Sequence, residues 1–581
     1  IGADRNVEFH LGIGVIGLAF AQVPGRAGRA HHDTGKPTAP SLLERHDADI
    51  DIALLEDAIA GEQRVDVLKG RREFVAKHGD IVDQRLRQVL QETTQTGRPA
   101  LALVSGYAGV GKSSLVYELL RSIEHAGGTF LAGKFEVQHR DIPYSTIARA
   151  FRTALRDLLG GSEESLQRWR RRLTEALGNN GRLVADIIPE TELLLGPQSP
   201  VGQLPPLEAE QRFLNVLRAF IAAFGRSESP LVLFLDDLQW ADVASLQLLQ
   251  HLLTHDAHHI LVIGAYRNSE VGARHPLART LGQMRAAEVR VVEAVLSPLA
   301  VEHIVALTAD SLRRPATEVR PLAQLVHEKT GGNPFFVIQF LNELTRDGLL
   351  AFDAEAWRWC WDLEAIRQRD YTANVAEFMV KRVARLPPET QKVLRLAACV
   401  GSTSDAKTLA IVAQIDESAL ERELLPAFEQ GLLVRGHHTY QFAHDRVRQA
   451  AYSLLPSAER PAIHRRIGHL LLRTTPIDSV PDRLFEIVNH LNRGTALVTE
   501  RPERVQLAEL DLAAGRKARD AAAPSAAVQY LQTAIHLLDE DGWETGHHIL
   551  RPAHLLMAEC AFLLGNVGDA YRLLEAIEPG D

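Results

Sequence analysis

Residues 106–113 contain the feature that most limits what this chain can fold into. They read Gly-Tyr-Ala-Gly-Val-Gly-Lys-Ser, with a glycine five positions before a second glycine that precedes Lys-Ser. The apolar run Ala100 to Ser105 predicts a buried strand before the loop, and Ser113 to Glu124 predicts a helix after it. This geometry aims backbone N–H groups at phosphate oxygens, and glycines let the backbone approach an anion closely. The sequence therefore predicts a phosphate-binding loop.

The loop also predicts contacts to a nucleotide and its metal ion. Lys112 is expected to bridge the β- and γ-phosphates, and the hydroxyl of Ser113 is expected to ligate Mg²⁺. The expected cofactors are therefore ATP or ADP, together with Mg²⁺. The loop residues predicted to bind the nucleotide are Gly106, Gly109, Gly111, Lys112, Ser113 and Ser114.

A second apolar run, Leu231 to Leu235, ends in the two carboxylates Asp236 and Asp237. Ligands in open α/β sheets bind beyond the C-terminal ends of the strands. Asp236 is therefore expected to hold Mg²⁺, directly or through water. Asp237 is placed to orient or deprotonate the attacking water, so the predicted reaction is Mg²⁺-dependent hydrolysis of ATP.

Two further residues are candidates for the same site, each with a structural alternative. Arg267 follows the apolar run Ile260 to Tyr266 and is placed to reach the γ-phosphate. Its alternative is a surface arginine that pairs with Glu270. Pro334 lies in a Gly-Gly-Asn-Pro-Phe-Phe turn, where the proline and the aromatic pair are placed to close over an adenine ring. Its alternative is a helix–helix turn with buried phenylalanines.

Apolar runs alternate with helical segments between residue 98 and about residue 295, which predicts a parallel sheet covered on both faces. The strand-like runs are 100–105, 129–135, 230–235, 260–266 and 289–294. A helical insert fills 145–225, and 299–350 is helical. A short hairpin is predicted from 431–434 and 439–443. From about residue 500, alanine-rich helices form two helical hairpins, typical of tetratricopeptide-like repeats.

Composition excludes several classes of function. The net charge is −10, so no broad basic field is present to hold nucleic acid. The three cysteines, Cys360, Cys399 and Cys560, are far apart, which favours a reducing, cytoplasmic compartment over a disulfide framework. The longest uncharged apolar stretch, 11–23, is too short to span a bilayer. Because the chain starts at Ile1 and stops just after a helical pattern, we expect a fragment of a longer polypeptide.

Two apparent motifs fail on inspection. The triplet His139-Arg140-Asp141 is typical of a protein-kinase catalytic loop, but Thr146 stands where that loop requires asparagine. His251 and His255 have the spacing of a zinc protease, but Leu252 stands where the catalytic glutamate is required. We therefore predict neither activity for this chain.

Several segments, taken in order, resemble the STAND branch of the AAA+-related P-loop ATPases. The similarity is greatest to the ATPase module of large bacterial signalling proteins, which also carry Ser/Thr-kinase, helical-repeat, GAF and histidine-kinase domains. It covers roughly residues 98–575. The segments that carry it are Ser105 to Ser114, Leu233 to Asp242, Ile263 to Arg267, Gly332 to Phe336 and Phe442 to Val447.

The resemblance implies further roles. Pro334 would contact adenine, and His444 would reach the β-phosphate of ADP and lock a closed state, as a hydrogen-bond donor whose charge is tunable near neutral pH. The alternative for His444 is a packing histidine at a helix start. The implied fold is multidomain α/β plus α. Its domains are a poorly defined segment (1–75), a P-loop NTPase core (76–298), a helical lid (299–380), a winged-helix-like domain (381–460) and tetratricopeptide-like repeats (461–581).

We therefore expect a slowly ATP-hydrolysing, STAND-type signalling switch, with Lys112, Asp236, Asp237 and Arg267 as its catalytic residues. One alternative is a part of a serine/threonine or histidine kinase, although this chain has no kinase catalytic set. A second is a STAND transcriptional regulator. Expected partners are nucleotide, other domains of the parent polypeptide (kinase, GAF, histidine kinase) or signalling proteins, and a nucleotide-dependent oligomer. We expect no direct binding of nucleic acid and no membrane span.

Overall fold

The structure is a computed structural model, which describes residues 84–125, 128–137, 140–255, 258–368, 375–436, 439–538, 543–575 and 577. The segment 1–75 and the apolar stretch 11–23 lie outside the described residues. The chain divides into two compact units. Among the described residues, the first contains 84–297 and everything after residue 374, and the second contains 298–368.

A five-stranded parallel sheet forms the centre of the first unit. Its strands follow one another along the sheet in the order β2-β3-β4-β1-β5, and every neighbouring pair is parallel. The five apolar runs of the sequence are thus confirmed as strands of one sheet. The strands are β1 (Ala100–Gly106), β2 (Thr129–Lys134), β3 (Leu231–Asp236), β4 (Ile260–Tyr266) and β5 (Arg290–Leu296).

Helices cover both faces of this sheet, which explains why the central strands are apolar throughout rather than alternating. Every residue of β1 and β3 is buried, whereas the edge strand β5 has exposed positions. The register sets Ser105 opposite Tyr266, so the C-terminal ends of β1 and β4 lie side by side. The helices of this part are 84–96, Lys112–His125, Ser145–Leu159, Glu163–Leu177, Gly181–Ala185, Glu190–Leu195, Pro206–Ala222, Val243–Thr254 and Pro276–Ala286.

The described residues of the second unit, 298–368, form four helices, as predicted up to residue 350, and a β-hairpin that was not predicted. In the hairpin, β6 (Leu350–Asp353) pairs antiparallel with β7 (Arg358–Trp361). The ring of Phe352 packs against Trp357 and Trp359 at centroid distances of 5.5 and 5.7 Å. The helices are Val301–Leu312, Ala316–Thr330, Pro334–Arg346 and Leu363–Gln368.

After residue 374 the chain returns to the first unit with a small three-stranded antiparallel sheet of order β8-β10-β9. The hairpin of β9 (Leu433–Arg435) and β10 (Thr439–Phe442) confirms the predicted one, with shifted ends. β8 is Thr403–Asp405. The surrounding helices are Val375–Ala384, which spans the predicted boundary at 380/381, and Pro388–Val400, Ala406–Ala413, Glu417–Glu429 and Asp445–Ser453.

The C-terminal part consists of helices that pack as successive hairpins, as the sequence predicts. Small residues allow close approach, since a Cβ at Gly515 would lie 2.7 Å from the side chain of Leu531. In the part of the chain described, none of the helices is long and apolar enough to cross a membrane. The helices are Arg460–Thr474, Val480–Asn492, Arg501–Asp520, Pro524–Leu538, Trp543–Leu563 and Val567–Glu575.

The C-terminal helices contact the α/β core through two tyrosines. The hydroxyl of Tyr530 lies 3.1 Å from the carbonyl oxygen of Asp141 and 3.0 Å from Oδ1 of Asn489. The hydroxyl of Tyr144 lies 3.4 Å from the carbonyl oxygen of Ala522. Residues 521–523 are part of the same apolar cluster as the core helices. The helical region is thus packed directly on the segment that follows β2.

Candidate nucleotide site

The phosphate-binding loop connects β1 to the helix Lys112–His125, as the sequence predicts. Gly106, Gly109 and Gly111 have φ angles of 153°, 79° and 99°, which residues with a Cβ rarely adopt. A Cβ at Gly106 would also lie 2.7 Å from the carbonyl oxygen of Leu296. Glycine is therefore required there by both the backbone conformation and the packing against β5.

Lys112 and Ser113 lie at the start of the helix, next to the acidic strand. Nζ of Lys112 donates to the carbonyl oxygens of Gly106 and Tyr107, at 3.0 and 2.9 Å. Burial lowers the pKa of Lys112, and Asp236 opposes that shift. The hydroxyl of Ser113 donates to Oδ2 of Asp236 at 2.7 Å. Ser114 is half-buried in the same helical turn.

The pair formed by Ser113 and Asp236 fits a Mg²⁺ site. Magnesium prefers hydroxyl, carboxylate and water oxygens, and it is commonly bound by one or two protein oxygens together with substrate phosphates. The two residues come from neighbouring parts of the site, the loop helix and the end of β3, and their oxygens are adjacent. The hydroxyl of Ser113 and the carboxylate of Asp236 are therefore the oxygens here that could hold a magnesium ion.

Asp237 occupies a tight turn directly after β3. Its φ angle is 55°, and Nε2 of Gln239 donates to its Oδ1 at 2.8 Å. Burial and the neighbouring carboxylate of Asp236 raise the pKa of Asp237 to about 7, although Lys134 and Arg267 oppose the shift. A carboxyl group that titrates near neutral pH is suited to accept a proton from water.

Arg267 follows β4 and is almost fully buried. It contacts three carboxylates, with nitrogen–oxygen distances of 2.9 Å to Glu270, 3.0 Å to Asp445 and 3.4 Å to Asp237. The guanidinium also stacks on Trp240, 4.5 Å from the ring centroid. The alternative pairing with Glu270 is therefore present, but it is one part of a larger network that includes the candidate base.

Asp445 is a site residue that the sequence analysis missed. It begins the helix Asp445–Ser453, far from the sheet in sequence, and it is 7% exposed. Its carboxylate lies 2.9 Å from Nζ of Lys134 and 3.0 Å from Arg267. Although burial opposes ionisation, Lys134 holds the pKa of Asp445 well below its usual value.

Lys134 was also missed. It is the last residue of β2, and its Nζ lies 3.3 Å from Asp237 as well as 2.9 Å from Asp445. We refer to Lys134, Asp237, Arg267 and Asp445 as the charge quartet, since two cations and two carboxylates alternate around it. The sequence feature that could have indicated this role is a lysine as the last residue of a predicted strand, since ligands bind beyond the C-terminal ends of parallel strands.

His444 stands at the start of the same helix as Asp445. Its Nδ1 accepts a hydrogen bond from the backbone N–H of Arg446 at 3.1 Å, so the histidine caps the helix. This position agrees with the alternative for His444, a packing histidine at a helix start. Burial, reinforced by Lys134 and Arg267, lowers the pKa of His444 to about 3. The ring is therefore neutral at pH 7, so the expectation of a charge tunable near neutral pH is wrong, because burial and the two cations disfavour the charged ring. With Nδ1 as acceptor, the proton of the neutral ring is on Nε2.

A further contact joins the core to the small antiparallel sheet. Glu136 is 4% exposed, its Oε2 accepts from the backbone N–H of Ser402 at 2.9 Å, and its Oε1 lies 3.2 Å from Arg149. Together with the charge quartet, this contact fixes the part after residue 388 against the end of β2.

Pro334 belongs to the second compact unit. It is the first residue of the helix Pro334–Arg346, and the side chain of Asn333 caps that helix by accepting from the N–H of Phe335 at 3.1 Å. Phe335 and Phe336 are half-buried, with ring centroids 5.6 Å apart. A contact of Pro334 with adenine stays a prediction.

Residues 80–263 match the family model of the AAA ATPase domain. This stretch contains the phosphate-binding loop and both carboxylates at the end of β3. The predicted AAA+-related P-loop ATPase module is therefore confirmed for this part of the chain.

The chain is also similar to signalling proteins along most of its length. It is 27% identical, over 82% of its residues, to the hybrid signal transduction histidine kinase G of Dictyostelium discoideum. It is 23% identical, over 68% of its residues, to the peroxide stress-activated histidine kinase mak3 of Schizosaccharomyces pombe. The matched regions make up only 17% and 18% of those proteins.

Among solved structures, the chain resembles a Signal Transduction ATPase with Numerous Domains (STAND) protein with a tetratricopeptide repeat sensor from Pyrococcus horikoshii. The sequence identity is 13% and the TM-score is 0.41, with 85% of this chain and 63% of that chain covered.

Proposed function

We propose that this chain is an ATP-binding and slowly ATP-hydrolysing switch module of the STAND type, and that it works within a larger signalling protein. The observation that carries the proposal is the position of Asp445. This carboxylate comes from a helix outside the α/β core, yet it pairs with Lys134 and Arg267 beside the candidate base Asp237. The similarity to two histidine kinases supports the signalling context.

The proposed roles at the site follow from these positions. Ser113 and Asp236 would hold Mg²⁺, which when bound would neutralise phosphate charge, and Lys112 would bridge the β- and γ-phosphates. Asp237 would orient or deprotonate the attacking water. His444 would present its Nε2–H to a phosphate oxygen of ADP. Gly106, Gly109, Gly111 and Ser114 would line the phosphates.

Arg267 gives the switch its sensitivity to the γ-phosphate. In the structure its guanidinium is shared among Asp237, Glu270 and Asp445. A γ-phosphate within reach of Arg267 would compete for that charge, which would leave Asp445 with Lys134 alone. Contacts present in only one state set the equilibrium, and a change from mostly closed to mostly open requires about 5 kcal/mol of discrimination. Because Asp445 would keep Lys134, the loss of its pair with Arg267 would supply only part of that free energy, and contacts made by the nucleotide itself would supply the rest.

The domain roles and the partners predicted from the sequence are part of the same proposal. The segment 299–380 would act as a helical lid, the part from 381 to 460 as a winged-helix-like domain and the part from 461 to 581 as tetratricopeptide-like repeats. Partners would be kinase, GAF or histidine-kinase domains of the parent protein, and ATP would favour oligomers. The relatives named as histidine kinases make part of such an enzyme the second candidate.

The test compares the hydrodynamic radius and the protease pattern of the chain with Mg-ATP and with Mg-ADP. We expect a compact ADP state and a more open ATP state in the parent chain. Asp445→Asn should be open with either nucleotide because both of its ion pairs are weakened, and Lys112→Ala should respond to neither nucleotide. Glu417→Gln, the same type of change at an exposed position, is the control and should behave as the parent. An identical radius and cleavage pattern with ATP and ADP in the parent would contradict the switch.

A further inference from the structure

The turn Leu238–Trp240 follows the candidate base Asp237 directly. It is a single turn of 3₁₀-helix, and Asp242, two residues beyond it, caps the next helix with its side chain. Leu238 is buried against β4, in the space beside Gly264, where a Cβ would clash with the leucine side chain. The turn is therefore fixed to the sheet on one side and to a helix on the other.

Gln239, the middle residue of this turn, is buried, and both polar atoms of its side chain have partners. Nε2 donates to Oδ1 of Asp237 at 2.8 Å, and Oε1 accepts from the backbone N–H of Arg267 at 3.0 Å. These partners fix the orientation of the amide. A backbone N–H can only donate, so the oxygen must face Arg267, and a half-turn of the amide would set two donors against each other.

Trp240 contacts the other end of Arg267. Its ring lies 4.5 Å from the guanidinium carbon, and its Nε1 donates to Oε2 of Glu270 at 3.1 Å. Oε1 of Glu270 accepts from Nη1 of Arg267 at 2.9 Å. The backbone of Arg267 is thus held by Gln239 and its side chain by Trp240 and Glu270, so one short turn contacts both the arginine and Asp237.

The amide of Gln239 makes the shortest of three contacts to the carboxylate of Asp237. The two cations, Lys134 and Arg267, lie 3.3 and 3.4 Å away, farther than the roughly 2.7–2.9 Å of a charge-assisted hydrogen bond. A γ-phosphate would attract both cations strongly, but it would attract a neutral amide far less. Gln239 is therefore the contact that would keep Asp237 in place while the charges around it are redistributed.

We propose that Gln239 is a positioning residue, which holds the carboxylate of Asp237 in the orientation for its action on water and at a fixed place relative to Arg267. This inference rests on the proposed hydrolysis and deepens it, because it explains how the group placed to contact the γ-phosphate and the group placed to act on water would stay aligned. Both polar atoms of Gln239 bind within the protein, so its loss should lower kcat and leave the binding of nucleotide unchanged.

The first measurement is ATP hydrolysis, with kcat and KM determined for Mg-ATP. Gln239→Met loses both hydrogen bonds at a similar side-chain length, and Gln239→Glu keeps the acceptor for Arg267 but sets an oxygen against Asp237. We expect each to lower kcat by about 10- to 100-fold at unchanged KM, the effect of a small misplacement of a reacting group. Gln239→His should retain most of kcat, because a neutral imidazole also has one donor and one acceptor nitrogen. The control, Gln283→Glu at an exposed position, should match the parent.

The second measurement tests the contact itself without nucleotide, through Tm. Gln239→Glu should lower Tm, because two carboxyl groups then meet where the parent has a donor and an acceptor. The addition of Asp237→Asn should raise Tm again, because the asparagine amide can donate to the new carboxylate. Hydrolysis should remain absent in this double variant, since the candidate base is missing.

Two results would overturn the positioning role. One is a kcat for Gln239→Met equal to that of the parent, and the other is a fall in kcat that Gln239→His does not relieve. No recovery of Tm in the double variant would overturn the contact between Gln239 and Asp237. A parent chain that binds Mg-ATP without hydrolysing it would contradict the proposed function instead, and the Tm of the double variant tells the two failures apart because it requires no nucleotide.

Discussion

At the scale of single residues, the charge quartet shows how buried charges set each other's ionisation. Asp237 and Asp445 are both carboxylates in the same buried network, yet their pKa values shift in opposite directions. Both stand between the cations Lys134 and Arg267, but burial and the adjacent carboxylate of Asp236 raise the pKa of Asp237. The two cations lie closer to Asp445, at 2.9 and 3.0 Å, and hold its pKa low although burial opposes this. One carboxyl is therefore poised to exchange a proton near neutral pH, and the other stays ionised and holds its helix in place.

The first prediction at this scale concerns the pH dependence of Asp237. Its folded pKa, about 7, is above the ordinary value of 3.8, so its contribution to stability is fully present below pH 3.8 and is lost as pH rises through 7. Asp237→Asn removes this dependence. We expect the variant to be more stable than the parent above pH 7, by on the order of 2–4 kcal/mol, with the difference vanishing near pH 4.

Urea unfolding of both chains without nucleotide, across this pH range, is the measurement. The difference between the two chains cancels the contributions of groups that they share. A constant difference at every pH would mean that Asp237 is ionised in the folded chain throughout, and the structural basis given for its raised pKa would be wrong.

The site residues that the sequence predicts are marked by short local patterns, whereas those that it does not predict are brought to the site by the fold. Lys112 and Ser113 are close in sequence to the glycines that define their role, so a short pattern predicts them. Lys134 and Asp445 acquire their positions only through the fold, and Arg267 is 178 residues from the aspartate that it contacts. No local pattern reveals a contact between residues so far apart in sequence. The pattern around residue 444 predicted a role for the histidine but none for its neighbour Asp445.

At the scale of elements, the helix Arg501–Asp520 has a buried carboxyl group, that of Asp511, on the side that packs against neighbouring helices. Asp511 is fully buried, and Nδ2 of Asn492 donates to its Oδ1 at 2.7 Å. Oδ2 of Asp511 and Oδ1 of Asn492 are both buried and have no donor among the described residues. Burial raises the pKa of Asp511 well above its usual value, so the carboxyl carries the proton that this pair of acceptors requires.

The prediction for this element compares two substitutions at Asp511. Asp511→Asn keeps an acceptor for Asn492 and supplies a neutral donor, so we expect its free energy of unfolding at pH 7 to equal or exceed that of the parent. Asp511→Ala leaves Asn492 without a partner and should lose about 1–3 kcal/mol. Both are measured by thermal unfolding, and equal losses in the two variants would show that a charged carboxylate is needed instead.

Elements were predicted best where burial is uniform. The central strands β1, β3 and β4 are short, apolar and almost entirely buried, so each stands out in the sequence. The hairpin of β6 and β7 was missed, because its alternating sequence includes charged residues and tryptophans that are only partly covered. Its stability comes from aromatic contacts across the two strands, which the spacing of residues does not reveal.

At the scale of the whole molecule, the C-terminal helices are part of the first unit and not an appended tail. Tyr530, which is 2% exposed, joins them to the loop of Asp141, and Tyr144 joins the core to Ala522. The segment that follows β2 is therefore held against the C-terminal helices. The sequence predicted the helical hairpins but not this contact, since nothing local marks which surface a helix will meet.

The prediction at this scale is for Tyr530→Phe, which keeps the ring and removes the hydroxyl. The acceptors on Asp141 and Asn489 lose that donor, so we expect a loss of about 1–3 kcal/mol and earlier protease cleavage between the core and the C-terminal helices. Tyr571→Phe, at a tyrosine that is 65% exposed, is the control and should change neither. Unchanged cleavage in Tyr530→Phe would mean that apolar packing alone holds the two parts together.

The long sequence separation of the charge quartet has a consequence during synthesis. Arg267 and Asp445 are 178 residues apart, and Tyr530 lies 389 residues beyond the loop that it contacts. At translation rates of about 5–20 residues per second, roughly 10–35 s pass between the appearance of Arg267 and that of its partner on the ribosome. Throughout this interval the α/β core has its phosphate-binding loop and both acidic residues but lacks Asp445. Under the proposed switch, a newly made molecule would meet nucleotide before the contact with Asp445 forms, and the nucleotide bound at that moment would set the state in which each copy begins.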